Sequence, residues 1–495
     1  MNTRLAKETR DLLPLLVGSL LLISAPYLIW QIGDTGFGYM ALGLACAVMG
    51  GSSFGNEFHH RTLSLLLSQP IARSVMWRDK MLVLGASMLA SWLVLMVCLS
   101  VCCPVLDRDL WLALVLIPLC AFCGAPYWTL LLRHGIGGMT FAAAVPGLLL
   151  GVNALVSERL FGEDRWFSAS TPILLAIYCA LVYGLGYAKF KGLQAMDGPS
   201  RDLSLPAGLE AFFVRPLARL GARFQSPFAS LLKKEFRLQQ ISFLLAGFFC
   251  LIAVAGACLI KHHHDLAEGI IVADCFIFVV ILPLIAGTTS VAEEKGWGMA
   301  EWHLTLPPSA LKQWSAKMLA ALSTSLVLGL LLPTALFMAG DALFHQSAAR
   351  TSLPPAPEIM GWILGSLLLT SVAVYAASIS NSTLRAILGA VGIVVAGYCV
   401  GFLVGVAVVE ASRSLVLSMY LSHPGPELIP LLIVSGLSFM LCVVQWLAWS
   451  NFRHYGLTTN KIAFQLAIIM LCVGVFTLAA FVWTLSLMSA SNLIR

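Results

Sequence analysis

Charge is scarce in this chain. Asp, Glu, Lys and Arg supply 11% of its 495 residues against 59% hydrophobic ones, and the mean hydropathy is +0.89. So few polar side chains cannot coat a water-facing surface, which excludes a soluble globular protein. The dipeptide Gly-Lys is absent altogether. A phosphate-binding loop, G-x-x-x-x-G-K-[ST], needs it to set a lysine among backbone amides, so the chain does not bind and hydrolyse ATP in that manner itself. No acid, base and nucleophile converge in any segment, and no catalytic residue is assigned. Gly51-Ser52-Ser53-Phe54-Gly55 has the form G-x-S-x-G, but a nucleophile elbow joins a strand to a helix, and this segment ends an apolar run. The 13 cysteines all lie in or beside apolar runs, Cys102-Cys103 and Cys120-x-x-Cys123 included, which predicts buried structural thiols. His262-His263-His264-Asp265 lacks the further ligands that a stable metal site needs, so no metal is expected.

Long apolar runs are what the chain has in abundance. A helix needs roughly 20 residues to cross about 30 Å of hydrocarbon. Such runs fall near 12–30, 38–56, 81–103, 110–132, 138–157 and 168–189, then near 240–260, 269–291, 316–340, 358–380, 384–409, 428–449 and 462–487. They are continuous, without the short alternation of a barrel strand, so the expected class is all-α and polytopic. Six runs, six more and one extra C-terminal run make the count.

Basic residues orient the chain. With the N-terminus in the cytoplasm, Arg108, Arg159, Arg165, Lys261, Arg350, Arg413 and Arg495 lie outside and the other 23 lysines and arginines inside. The expected location is therefore the cell inner (cytoplasmic) membrane. The net charge of +6 then reads as topology and attraction to anionic membrane lipid, with no nucleic-acid partner.

The chain also repeats itself at an offset of 237. Gly50–Leu82 and Gly287–Leu319 align without a gap, pairing Gly50 with Gly287, Glu57 with Glu294, Pro70 with Pro307, Trp77 with Trp314 and Lys80 with Lys317. Each is a polar insert between two apolar runs. Leu5-Ala6-Lys7-Glu8-Thr9-Arg10 likewise resembles Leu232-Lys233-Lys234-Glu235-Phe236-Arg237. Both halves start inside, so the repeat is parallel. The expected division is 1–196 for the first half, 197–229 for a cytoplasmic linker, 230–456 for the second half and 457–495 for the extra helix.

The polar stretch Ala195–Gln240 carries Arg215, Arg219 and Arg223 on one helical stripe and Phe and Leu on another, which predicts a segment in the inner membrane interface. Thr3–Leu13 and Ser230–Gln240 should be amphipathic lead-ins to their halves. Gly147-x-x-x-Gly151 and Gly397-x-x-x-Gly401-x-x-x-Gly405 form flat strips for close helix approach, either between the halves or within them. Asp274, an intramembrane carboxylate, either reaches water or faces a substrate path.

The first insert, Glu57-Phe-His-His-Arg-Thr-Leu-Ser-Leu-Leu-Leu-Ser-Gln-Pro-Ile-Ala-Arg73 followed by Lys80, resembles the signature of ABC-2-type transporter permeases, and Glu294 to Lys317 is similar. The resemblance covers about residues 3–456. It implies two fused six-helix permease halves served by two copies of a separate nucleotide-binding ATPase, which would carry the ATP and magnesium. The inserts would couple to those subunits, with Glu57, Arg61, Pro70, Arg73, Lys80, Glu294, Pro307 and Lys317 forming or positioning the coupling surfaces. In the second copy Arg61 becomes Gly298 and Arg73 becomes Ala310. The implied work is ATP-driven transport, as an exporter. The competing class is a secondary transporter driven by an ion gradient.

Overall fold

The computed structural model describes residues 3–30, 35–59, 62–102, 108–133, 135–161, 164–193, 227–259, 277–296, 309–336, 338, 356–380, 382–414, 428–453 and 458–492. All regular structure among them is helical. In chain order the helices are α1 Thr3–Trp30, α2 Thr35–His59, α3 Leu63–Leu67, α4 Arg73–Cys102, α5 Arg108–Leu132, α6 Gly135–Phe161 and α7 Asp164–Gly192. There follow α8 Pro227–Leu238, α9 Gln240–Leu259, α10 Leu282–Gly296, α11 Ala310–Leu326, α12 Ala356–Ile379, α13 Thr383–Ser414, α14 Leu428–Arg453 and α15 Thr459–Asn492. A π-helical turn, Ile277–Ile281, leads into α10, and another, Val327–Leu331, continues α11.

Eight of the described helices are long and apolar enough to cross a membrane, or nine when α8 and α9, which meet at 49°, count as one broken span. The runs near 12–30, 38–56, 269–291 and 428–449 fall on helices that do not meet that criterion over their described residues. The chain is thus a multi-pass helical membrane protein, with eight or nine of the thirteen expected spans meeting that criterion among the described residues.

Large apolar side chains are exposed as well as buried, as surfaces that face lipid allow. Leu82, Leu89, Leu93, Val97 and Val101 are exposed along one face of α4, and Ile173, Ile177, Leu181 and Leu185 along α7. Ser87, Ser91, Thr288 and Ser371 are buried among them, each returning its hydroxyl to a carbonyl one turn back. A hydroxyl satisfied in that way adds no unpaired polar group to an apolar interior.

Small residues set the closest crossings. A Cβ on Gly50 would lie 2.5 Å from Ala125 Cβ, so α2 crosses α5 nearly backbone to backbone. A Cβ on Gly287 would lie 2.6 Å from Ala373 Cβ, giving the same crossing of α10 on α12. The chain's two parts meet where α6 packs on α9 and α13 on α1. The two glycine strips do not face each other. A Cβ on Gly147 would approach Ile252 of α9 at 3.5 Å, whereas Cβ atoms on Gly397 and Gly401 would approach Val473 and Thr477 of α15 at 3.5 and 3.1 Å. Gly151 and Gly405 are buried on the same helices.

α15 is also held by a buried amide pair. Asn451 Nδ2 donates to Gln465 Oε1 at 3.0 Å, and Gln465 Nε2 returns a bond to Asn451 Oδ1 at 2.7 Å, with Tyr375 donating to Gln465 Oε1 at 3.2 Å. The lead-ins differ in form. Thr3–Leu13 is the first part of the unbroken α1, while α8 is a separate amphipathic helix that begins inside the expected linker. Arg61, Asp274, His262–His264, Pro307 and the linker up to residue 226 lie outside the described residues.

Candidate functional site

Two buried clusters of lysine and glutamate stand out, one around each sequence insert. Lys80, in the first turns of α4, is 3% exposed and Glu57, near the end of α2, 4%. Lys80 Nζ donates to Glu57 Oε1 at 3.2 Å, to Glu8 Oε2 of α1 at 2.7 Å and to the Ser53 carbonyl at 3.2 Å. All three ammonium donors are thereby directed at oxygen, which is what a desolvated lysine needs. Lys7 adds a second cation 3.3 Å from Glu57, and the Thr62 hydroxyl donates to its other oxygen.

The second cluster repeats the first. Lys317 of α11 is 3% exposed and donates to Glu294 Oε2 at 2.7 Å, to Glu235 Oε1 of α8 at 2.9 Å and to the Ser290 carbonyl at 3.1 Å. Lys234 supplies the additional cation on Glu294. Ser290, Glu294 and Lys317 each lie 237 positions after their counterparts Ser53, Glu57 and Lys80, while Lys234 and Glu235 lie 227 after Lys7 and Glu8.

Local sequence explains the placement. Glu57 and Ser53 are four apart on α2, so both point toward the same neighbour, and the serine carbonyl is one turn below the carboxylate. The lead-in helices present Lys and Glu at adjacent positions, so one reaches the cluster's rim while the other goes to its centre. Aromatic rings seal each cluster beside the lysine. Trp77 packs on Phe54, Phe190 and Tyr187 with centroids 5.4, 5.6 and 6.0 Å apart, and Trp314 packs on Phe452 and Trp449 at 5.3 and 5.8 Å.

Burial alone would raise the Glu57 carboxyl, but Lys80, the Thr62 hydroxyl and Lys7 outweigh it and hold Glu57 below the usual carboxylate range. Glu294 is lowered in the same way, its burial outweighed by Lys317 and Lys234. Lys295, the next residue, donates to the Ser378 carbonyl at the end of α12, and burial pushes its amine down to about 8.

Both clusters lie at one end of the bundle. Leu384, at the start of α13, would contact a Cβ on Gly55 at 3.7 Å, two residues from Glu57, while Lys295 reaches Ser378 just across the α12–α13 turn. At that end the first insert turns outward. α3 buries Leu66 but leaves Leu65 67% exposed, and Ser68, Gln69 and Pro70 are exposed around the turn. Arg73 folds back, its guanidinium donating to the Lys191 carbonyl in the last turn of α7, where a cation also suits the helix dipole.

Of the residues expected to form or position a coupling surface, Glu57 and Lys80 face inward and touch each other, Glu294 and Lys317 do the same in the second cluster, Pro70 faces outward, and Arg73 ties the insert to α7. Charge and spacing singled out the lysines and two glutamates but not Glu8 and Glu235, whose signal was the Lys-Glu pair shared by the two lead-in segments. The G-x-S-x-G segment is helical, with Ser53 Oγ donating to the Gly50 carbonyl at 2.8 Å, so it is no nucleophile elbow. Cys120 and Cys179 are buried with their sulfurs 3.7 Å apart, as free thiols. Among the described residues no group of His, Cys, Asp and Glu is arranged to hold a metal ion. No protein-family model matches the chain, and no curated protein or solved structure matches it either.

Proposed function

We propose that the chain is the membrane-spanning permease subunit of an ATP-binding cassette exporter. In this reading two parallel six-helix halves and one further C-terminal helix sit in the inner membrane with the N-terminus in the cytoplasm, and two copies of a separate ATPase bind the inserts. ATP and magnesium reside on those partners, since this chain has no phosphate-binding loop.

One observation carries the reading: the lysine-centred cluster that occurs twice at the same end of the bundle. Each joins three helices, namely the lead-in, the helix before the insert and the helix after it. A force applied to the exposed turn at Leu65, Gln69 and Pro70 therefore reaches all three as one body. That is the property a coupling element needs if closure of a bound ATPase is to rock one half against the other. Glu57, Lys80, Glu294 and Lys317 act by positioning this lever, and the outward turn makes the contact.

The test is co-purification with a soluble ATPase encoded beside this chain, followed by ATP hydrolysis in lipid nanodiscs. Gln69→Cys should crosslink to that subunit, and Glu57→Gln with Glu294→Gln should lower stimulated hydrolysis while membrane insertion persists. Failure to recruit any ATPase, or full coupling in the double variant, removes the proposal.

A further inference from the structure

Far from the lysine clusters, toward the other end of the same helices, two π-helical turns pack against each other. Each is followed by a proline at the same distance: Ile277–Ile281 by Pro283, and Val327–Leu331 by Pro333. Proline has no N–H and its ring collides with the carbonyl four residues earlier, here Val279 and Gly329, both inside their π turns. Widening the ladder relieves the collision. Leu332 N–H accordingly donates to the Val327 carbonyl, five residues back. Proline alone does not force this result. Pro118, Pro126, Pro146 and Pro172 lie inside α5, α6 and α7, which remain α-helical.

The two widened turns meet at Gly329. A Cβ there would lie 3.0 Å from Pro283 Cγ and 3.1 Å from the Phe278 carbonyl. Phe278 in turn packs on Phe249 of α9 with centroids 6.2 Å apart. Just below the turns, both helices are fastened to one residue of α12. Thr370 donates to Ser325 Oγ at 2.7 Å, and its carbonyl would lie 2.6 Å from a Cβ on Gly287. Ser325 also bonds Ser366 at 3.0 Å. Below Thr370 the pair is bolted; above it, both ladders are weakened at one level.

At the positions 237 earlier, Met40–Leu44 and Ala90–Val94 are ordinary α-helix within α2 and α4, and Cys46 and Met96 stand where the prolines would be. We propose that the paired π turns, Ile277–Ile281 and Val327–Leu331, form a joint that bends as one unit where the two helices pass Thr370, while α2 and α4 move as straight rods. Conformational change at the end away from the clusters is therefore concentrated in the second half. The joint is a property of these helices and does not depend on what drives them.

Hydrogen–deuterium exchange on the full chain in lipid nanodiscs, without any partner, tests it. Segments 40–49 and 90–99 serve as controls at matching register. Amides in 277–286 and 327–336 should exchange about tenfold faster than those controls, because opening there breaks fewer well-formed bonds. Pro333→Ala restores a donor and should slow exchange in both turns. Equal rates in the two halves of the unaltered chain overturn the proposal, even if the variant fails to fold, and so does a Pro333→Ala protein that slows only its own turn. Neither outcome bears on recruitment of an ATPase, whose failure would leave the joint standing.

Discussion

Lys80 and Lys317 make the same set of contacts from positions 237 apart: a carboxylate on the preceding helix, a carboxylate on the lead-in helix and a serine carbonyl, all between 2.7 and 3.2 Å. A buried lysine this well compensated is stable only while every partner remains, so the clusters behave as units.

Removing the central lysine from either cluster should therefore be severe. Lys80→Met or Lys317→Met leaves two carboxylates with only the rim cation, Lys7 or Lys234, beside them, a loss of about 3–5 kcal/mol. Thermal unfolding followed by tryptophan fluorescence in detergent should show a lowered midpoint for each. Adding Glu57→Gln to the first variant, or Glu294→Gln to the second, should restore part of it. A wild-type midpoint in both single variants would mean the clusters contribute nothing.

Acid should open the clusters. Glu57 and Glu294 have folded-state values held below the ordinary carboxylate range of about 4.3. The stability they contribute is thus fully present above that range and is lost as pH falls through the lowered folded values. The melting midpoint should hold down to about pH 5 and drop below it. The Glu57→Gln and Glu294→Gln double variant should start lower and show a shallower acid limb.

Alkali should act through Lys295, whose value falls from about 10.5 to about 8 on burial. Between those values the unfolded chain holds a proton that the folded one does not, so this group makes stability rise with pH across the window. Lys295→Met should flatten that part of the midpoint-against-pH curve. An unchanged slope would show that the amine is not desolvated.

The crossings at Gly50 and Gly287 leave no room for a methyl group. Gly50→Ala and Gly287→Ala should each destabilise by about 1–3 kcal/mol, the usual result of overpacking. Gly147→Ala, whose Cβ would meet Ile252 at 3.5 Å, should change the midpoint by about 0.5 kcal/mol equivalent or less. Equal effects at the three sites would contradict the packing described.

Much of the candidate site could be read in advance because it is local and duplicated. The gapless pairing of Glu57 with Glu294 and Lys80 with Lys317, and the shared Lys-Glu of the lead-ins, mark the residues that later prove to touch. Their direction could not be read. Charged residues in a polar insert look solvent-facing, and only the arrival of α1 and α8, 72 and 82 residues away from the lysines they meet, turns them inward. The strip at Gly397 and Gly401 shows the same limit: spacing identifies a flat face, but the partner is α15 and not α6.

Sequence by itself determined that the chain lives in a membrane as helices, since long apolar runs with little charge can satisfy their backbones in no other open form. It also determined which residues recur. Tertiary structure alone decided that the recurring charges neutralise one another in the interior, because the desolvation of a lysine is compensated only where separate helices bring carboxylates within hydrogen-bond reach. It likewise decided that the turns before Pro283 and Pro333 are π-helical while Pro118, Pro126, Pro146 and Pro172 lie in helices that stay α-helical.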